Sequence, residues 1–251
     1  KLTKEKILER LIKFQPDLLA FSMHSAYNIH DVLPVIKYLK KSLNKQVLVG
    51  GYNFNLYPYE NMFHECIDYG ITGDNIESLP KFLKFYDGER NLEDLKDIVG
   101  MCYRENGKIV INLNPMANNI RLSKLPLPAR HLLKSGLYFQ FISKRKNFAL
   151  MMTQTGCPYP CTFCSVPGYK FGMLSPEQVL KEIELAYYKH GVREIDFFDA
   201  LFTVNKDRVH KICDLIIEKK LDLHWSCRSR IDTVNEDLLT KMAEAGCKRI
   251  Y

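Results

Sequence analysis

Apolar residues in the first third of the chain recur with two alternating patterns. Some segments show helical spacing, and others are short continuous apolar runs typical of buried parallel strands. Strands that alternate with helices predict a parallel sheet with helices on its faces, an α/β arrangement of the flavodoxin or Rossmann type. Asp31 is the expected N-cap of the second helix. The expected elements are helix 3–14, strand 17–22, helix 31–43, strand 47–49, strand 67–72 and helix 76–86.

The pattern changes after residue 97. Residues 98–112 contain two apolar runs separated by Glu105-Asn106-Gly107, and Asn-Gly is a strong signal for a hairpin turn. Residues 115–130 lack periodicity and contain three prolines, as expected for a link between domains. The expected organisation is a first domain over 1–97, a hairpin and linker over 98–147, and a second domain over 148–251.

A second alternation of strands and helices fills the last hundred residues. Its strand–helix units are about 25 to 35 residues long, as in a (β/α) barrel. Three helices are expected to begin at polar N-caps, namely Ser175, Asn205 and Asn235. Residues 248–251 resemble the start of a fourth strand, so we expect the sequence to stop part-way through a barrel. Unpaired sheet edges would then leave the chain marginally stable by itself. The other expected strands are 148–153, 194–198 and 223–228.

Composition narrows the class of protein. The chain has 251 residues, 46% hydrophobic and 26% charged, as is ordinary for a soluble globular protein. An apolar run of about 18 residues is missing from the sequence, so we expect no membrane span. The net charge of +7 is spread along the chain, which favours a solvated surface over a nucleic-acid footprint and leaves an anionic substrate possible. The chain shows no targeting pattern, and a cytoplasmic location is expected.

Three of the eight cysteines stand close together, in the segment GCPYPCTFCS. In a cytosolic protein, clustered thiols more often bind metal or catalyse than form disulfides. Cys157, Cys161 and Cys164 would leave one coordination position of a metal centre open for chemistry. The segment also follows the first strand of the barrel-like half, where such folds carry their catalytic groups. A catalytic iron–sulfur cluster is therefore favoured over a zinc site, which lacks a nearby second ligand pair, and over coincidence.

This C-x3-C-x2-C segment, with Phe163 just before its third cysteine, resembles the radical S-adenosylmethionine superfamily over about residues 148–251. The resemblance implies a [4Fe–4S] cluster on Cys157, Cys161 and Cys164. It also implies that S-adenosylmethionine chelates the open iron, and that one electron cleaves the cofactor to a 5′-deoxyadenosyl radical that abstracts hydrogen from substrate.

The same resemblance implies contacts to S-adenosylmethionine from five residues. Asp199 ends what looks like the second strand of the family, although relatives often carry two acidic residues where this chain has Asp199-Ala200. The structural alternatives are that Asp199 caps a turn and that Arg230 pairs with a neighbouring aspartate. A glycine-and-acid segment of the family would fall after the last residue of this sequence. The residues implied on the cofactor side are Tyr159, Phe163, Asp199, Arg228 and Arg230.

The first half contains a strand ending in Ser22, then Val49-Gly50-Gly51, then Ile67-Asp68-Tyr69 followed by Gly73. With these features, residues 17–86 resemble the cobalamin-binding domain that precedes many such barrels. The resemblance implies that Ser22, Gly50 and Gly51 line a slot for the nucleotide tail of the corrin. The element that would supply a lower axial histidine would precede the first residue, and His24 stands where relatives often have threonine or leucine. The alternative is a flavodoxin-like domain that has lost its corrin.

These features predict a radical S-adenosylmethionine enzyme, with cobalamin-dependent methyl transfer or ring formation as its chemistry. One alternative is a cobalamin-free relative such as a methylthiotransferase acting on RNA or protein, and another is a cluster- or zinc-binding module without catalysis. The implied partners are an electron donor such as flavodoxin or ferredoxin and a small-molecule substrate that the sequence does not identify.

Overall fold

The computed structural model describes residues 2–24, 28–73, 76–112, 122, 125–133, 140–164 and 171–251. The chain divides into two compact units, Lys1–Asn118 and Asn119–Tyr251. Each unit contains a sheet with parallel strands and its own hydrophobic core, which confirms the α/β fold predicted from the sequence. None of the described helices combines the length and the apolarity that a membrane crossing requires.

A five-stranded sheet with the order β1-β2-β3-β4-β5 forms the first unit. Strands β1 to β3 are parallel, and β4 and β5 join them as antiparallel strands. Alternate residues of β2 enter different clusters: Val47 and Val49 pack with α2 on one face, and Leu48 packs with α5 on the other. The elements are α1 Lys4–Phe14, β1 Leu18–Ser22, α2 Asn28–Leu43, β2 Gln46–Gly50, α3 Tyr52–Leu56, α4 Pro58–Met62, β3 Tyr69–Ile71, α5 Ser78–Asp87, α6 Glu93–Lys96, β4 Met101–Glu105 and β5 Lys108–Ile111.

Three details differ from the sequence-based expectation for this unit. Helix α2 begins at Asn28, so Asp31 lies in its first turn instead of at the N-cap, where it still stabilises the helix dipole. The short helices α3 and α4 between β2 and β3 were not expected. The predicted hairpin forms with positive φ at Asn106 and Gly107, and its strand β4 pairs with β3, which adds residues 101–111 to the first sheet.

The second unit contains a parallel sheet with the order β11-β10-β9-β6, which is open within the described residues. Ser175, Asn205 and Asn235 cap its three α-helices as predicted. The core lies between the sheet and these helices, with Trp225 and Phe197 among its largest fully buried side chains. The elements are β6 Phe148–Met151, β7 Gln154–Thr155, β8 Gly172–Met173, α7 Pro176–Glu184, β9 Glu194–Phe197, α8 Lys206–Glu218, β10 His224–Cys227, α9 Glu236–Glu244 and β11 Cys247–Ile250.

Part of the expected linker packs on this second unit. Arg130 donates to the Leu150 carbonyl at 2.9 Å and forms an ion pair with Glu182 on α7 at 2.7 Å. The amides of Lys144 and Arg145 both donate to the Glu194 carboxylate at the start of β9. Arg130 thus occupies a backbone acceptor of β6, which is an edge strand within the described residues, and this hinders edge pairing by another chain at that point.

Candidate active site

The three-cysteine segment follows the carboxyl end of β6 and precedes α7. Short strands β7 and β8 pair antiparallel on either side, with Gln154 opposite Met173 and Thr155 opposite Gly172. The segment is thus a closed loop with a hydrogen-bonded base. Parallel strands of α/β folds present ligand sites at this same end.

Cys157 and Cys161 are half-buried on this loop, and Cys164 is exposed. All three are free thiols, and the Cys164 amide donates to the Cys161 carbonyl at 3.1 Å. Within the described part of the chain, no three His, Cys, Asp or Glu side chains converge as one metal ion would require. In an iron–sulfur cluster each thiolate binds a different iron, so its ligands need not converge on one point. Three thiols on one loop are a donor set that a [4Fe–4S] cluster can take.

The remaining cysteines have a different environment. Burial raises the pKa of Cys102 and Cys213 to about 12, so both thiols stay protonated at neutral pH. A hydrogen bond to Cys247 and burial raise the pKa of Cys227 well above its usual range. Metal ligands must be thiolates, so these three buried residues are poor candidates for ligands.

Asp199 follows β9 and is completely enclosed by protein. Its carboxylate accepts from the Thr153 amide at 2.6 Å, from the Gln154 amide at 3.0 Å and from the Thr153 hydroxyl. Arg208 on α8 donates to the same Thr153 hydroxyl at 2.7 Å. Burial raises the pKa of Asp199 and lowers that of Arg208. The carboxylate implied to face S-adenosylmethionine is thus directed in this structure at the residues that lead into the cysteine loop.

Arg228 at the end of β10 forms an ion pair with Asp196 of β9. Its two terminal nitrogens contact the two carboxylate oxygens, with Nη2 at 2.9 Å from Oδ2, and Ser226 donates to Oδ1 at 3.0 Å. The guanidinium also lies 4.4 Å from the centroid of the Phe198 ring and 5.2 Å from that of Tyr251. The arginine is therefore oriented on the sheet face opposite the helices, with its charge largely compensated.

Arg230 lies two residues further on and reaches the cysteine loop. Its Nη1 donates to the sulfur of Cys161 at 3.3 Å, and its guanidinium carbon lies 4.1 Å from the centroid of the Tyr159 ring. The other nitrogens pair with Asp232, which confirms the pairing considered from the sequence. Phe163 is 92% exposed and lies on the outside of the loop.

A cavity of about 510 Å³ lies beside the edge strand β6 of this unit. Its lining is mostly apolar and includes the half-exposed side chains of Leu150, Met152 and Phe198. Arg130, Lys181 and Glu182 supply its charged groups. Such a cavity suits a mainly apolar ligand fixed by a few polar contacts.

The carboxyl edge of the first sheet brings Ser22 and Gly50 together as partners across β1 and β2. Ser22 is exposed at this edge. Gly51 has φ +100°, and a Cβ added there would lie 2.7 Å from the Met23 carbonyl oxygen and 2.9 Å from the Ser22 hydroxyl. Glycine is therefore required at position 51 by its φ and by the close approach of Ser22 and Met23, independently of any ligand.

The family model of the Radical SAM superfamily matches residues 151–251, which begin in β6 and include the cysteine loop, Asp199 and both arginines. Residues 151–251 belong to the radical S-adenosylmethionine superfamily. This superfamily uses S-adenosylmethionine and a [4Fe–4S] cluster, and its members and the relatives below identify the chain as part of an enzyme.

Relatives with assigned names match nearly the whole chain. A protein described as an uncharacterised methyltransferase from Pyrococcus horikoshii is 32% identical over 100% of this chain and 54% of its own length. The anaerobic magnesium-protoporphyrin IX monomethyl ester cyclase of Synechocystis is 23% identical over 99% of this chain and 50% of its own length. The chain thus spans about half the length of these relatives.

Solved structures share the fold over almost the whole chain. The radical S-adenosylmethionine methyltransferase TsrM from Kitasatospora setae superposes with a TM-score of 0.74 at 17% identity, over 98% of this chain and 50% of that one. The cobalamin-dependent radical enzyme OxsB, solved with aqua-cobalamin, gives a TM-score of 0.73 at 20% identity, over 99% of this chain and 37% of that one. At these identities the likeness concerns the fold.

Three polar residues of this radical S-adenosylmethionine unit were not singled out from the sequence. Asp196 could have been noticed, because it is a charged residue between the apolar Ile195 and Phe197 of a predicted strand. Thr153 and Arg208 carry no comparable signal, since one lies between two strands and the other lies in the first turn of an ordinary amphipathic helix.

Proposed function

We propose that the chain is the cofactor-binding part of a cobalamin-dependent radical S-adenosylmethionine enzyme whose reaction is methyl transfer. Cys157, Cys161 and Cys164 hold the [4Fe–4S] cluster in this proposal, and S-adenosylmethionine binds on the same side of the sheet. The observation that carries it is the loop of three free thiols at the carboxyl end of β6, with the Arg230 guanidinium 3.3 Å from one of them.

The chain's own groups prepare this site in three ways. The Arg230 guanidinium donates a hydrogen bond to the sulfur of Cys161 and so orients this proposed iron ligand. The buried Asp199–Thr153 contacts fix the strand from which the loop departs. The bidentate pair with Asp196 fixes Arg228 on the open sheet face. A cluster bound there and reduced by a donor of the flavodoxin or ferredoxin class would supply the electron that cleaves S-adenosylmethionine.

Cobalamin binding in the first unit is supported by its parallel sheet and by Ser22 at the exposed carboxyl edge. It is also supported by the fold shared with OxsB and TsrM, which are solved with cobalamin. Methyl transfer is favoured because the methyltransferase from Pyrococcus horikoshii is more similar to this chain in sequence than the cyclase of Synechocystis is. Ring formation is the second candidate, since three cyclases also match across the chain.

The cluster proposal is tested by anaerobic reconstitution with iron and sulfide. We expect Cys157→Ala, Cys161→Ala and Cys164→Ala each to abolish cluster loading, measured as iron per chain and as broad absorption near about 400 nm. Cys66→Ala and Cys213→Ala are the controls, because both thiols are buried in hydrophobic cores. Equal iron loss in Cys213→Ala would show that the ligand assignment is wrong, and a colourless zinc protein would favour the non-catalytic alternative.

The cobalamin proposal is tested by equilibrium dialysis of hydroxocobalamin against the whole chain. A larger side chain at Ser22 should block the carboxyl edge of the first sheet. We therefore expect Ser22→Phe to lower the amount of retained corrin at least tenfold. Ala20→Phe is the matched control, because Ala20 is exposed on the same face of β1 but two residues from the edge. Gly51 is unsuitable, since a side chain there collides with the backbone. If the wild type loads its cluster but retains no corrin, the cobalamin-free alternative is favoured.

A further inference from the structure

We propose that Arg230 is a positioning residue that raises the reduction potential of the iron–sulfur cluster through its hydrogen bond to Cys161. The inference rests on the proposed function, because it requires a cluster on the three loop cysteines. In this inference Arg230 contacts a cluster ligand, Cys161, whereas the sequence resemblance implied that Arg230 contacts S-adenosylmethionine.

The geometry of the guanidinium carries this assignment. Asp232 accepts from Nε at 2.9 Å and from Nη2 at 2.7 Å, which is the two-pronged pairing that fixes an arginine in its plane. The ring of Tyr159 packs against the same group, with 4.1 Å between the ring centroid and the guanidinium carbon. These two contacts leave Nη1, and Nη1 lies 3.3 Å from the sulfur of Cys161. The donor is therefore fixed toward the sulfur by the protein itself.

The pairing also decides which effect of Arg230 matters. Because Asp232 pairs directly with Arg230, the two opposite charges largely cancel as seen from the cluster. The N–H···S hydrogen bond is therefore the main interaction of Arg230 with the cluster. Hydrogen bonds to the sulfurs of a cluster are one of the means by which proteins set its potential. A donor at sulfur stabilises the reduced form more than the oxidised form, because the added electron increases the negative charge on the sulfur.

The redox step involves one electron and no change in covalent bonds. The [4Fe–4S]²⁺ cluster gains one electron from a low-potential one-electron donor and becomes [4Fe–4S]⁺. The hydrogen bond shifts this equilibrium toward the reduced form. An effect on the order of tenfold in the equilibrium constant corresponds to about 59 mV for a one-electron couple.

The test is a redox titration of the reconstituted whole chain, without S-adenosylmethionine, followed by electron paramagnetic resonance with dithionite as the reductant. We expect Arg230→Gln to load the same iron as the wild type and to titrate at a lower potential, by about 59 mV if the effect is tenfold. Arg230→Lys keeps a charged donor but lacks the planar guanidinium that pairs with Asp232. The potential of its cluster should therefore lie between those of the wild type and Arg230→Gln. Lys241→Gln is the control, because it removes an equal charge from a surface pair with Asp214 on the helices.

Each result has one meaning. A lower potential in Arg230→Gln at unchanged iron content, with Lys241→Gln equal to the wild type, supports the inference. Equal potentials at equal iron content overturn it and leave the proposed function intact. Iron loss in Arg230→Gln as large as in Cys161→Ala also overturns it, because the arginine would then only hold the loop. A wild-type chain that takes up no cluster overturns both.

Discussion

At the scale of residues, the buried polar groups of the second unit are positioned to support the cysteine loop. Both carboxylate oxygens of Asp199 accept hydrogen bonds from Thr153 and Gln154, which lead into the loop. A carboxylate in such a place orients the backbone that carries the ligands. Its effect on function is therefore expected through stability and cluster loading.

Replacing Asp199 should destabilise the second unit. Asp199→Ala leaves the buried amides of Thr153 and Gln154 without their acceptor, and a buried donor without a partner costs about 1–3 kcal/mol. We expect the free energy of unfolding to fall by about 3 kcal/mol in total. Urea denaturation followed by the fluorescence of Trp225, the only tryptophan, measures this unit. An equal loss in Asp222→Ala, whose side chain is 73% exposed, would contradict the argument.

Glu194 should make the second unit sensitive to acid. Burial raises the pKa of Glu194, but hydrogen bonds from the Arg145 amide, the Arg249 guanidinium and the Lys144 amide together outweigh burial and hold that pKa below 4.5. A lowered pKa stabilises the folded state above the unfolded pKa, and this contribution is lost as pH falls through the folded value.

The matching variant is Glu194→Gln, which lacks the titrating group. We expect the wild type to be more stable than the variant at neutral pH and the difference to shrink as pH falls below 4.5. Urea denaturation at a series of pH values measures both. Curves that remain parallel through this range would show that the carboxylate does not contribute in this way.

At the scale of elements, the sequence specified what is local and missed what depends on tertiary packing. Ser175 and Asn235 cap helices because their side chains bond to amides three residues away, and that signal is visible in the chain. Asp31 has the same chemistry, but the helix continues past it to Asn28. The direction of Asp199 could not be predicted, since its partners Thr153 and Gln154 lie about 45 residues earlier in the chain.

Two glycines of the second unit both have positive φ but differ in the space available for a side chain. Gly246 has φ +96° after α9, and a Cβ there would lie 2.1 Å from the Leu223 carbonyl oxygen. Gly191 has φ +65°, and its nearest contact would be the Asn147 side chain at 3.4 Å. Left-handed backbone costs a non-glycine residue about 1–2 kcal/mol at either position.

Alanine should therefore be more harmful at Gly246 than at Gly191. The collision with backbone adds a further cost of about 1–3 kcal/mol at Gly246 only. Urea denaturation of Gly246→Ala and Gly191→Ala, followed by Trp225 fluorescence, measures the difference. Equal losses would mean that the turn after α9 moves to make room and that only the backbone conformation matters.

At the scale of the whole molecule, each unit presents the carboxyl edge of its own parallel strands. In the first unit this edge carries Ser22 and Gly50, and in the second it carries the cysteine loop. The proposed cofactors are thus assigned to different units, each with a separate core. A ligand that binds only the folded state lowers the local opening of the segments it contacts.

Hydrogen exchange of the whole chain can therefore locate each cofactor. Hydroxocobalamin should slow exchange where β1 and β2 end, at residues 22–24 and 50–55, and leave the amino ends of the same strands unchanged, because only the carboxyl edge would touch the corrin. Cluster loading should slow exchange at residues 157–164 and at Arg230, which contacts the loop. Peptide-resolved mass spectrometry measures both patterns.

Ser22→Phe is the control, because it should remove the first pattern and keep the second. Protection by hydroxocobalamin at the amino ends of β1 and β2, or equally in Ser22→Phe, would place the corrin elsewhere on the molecule.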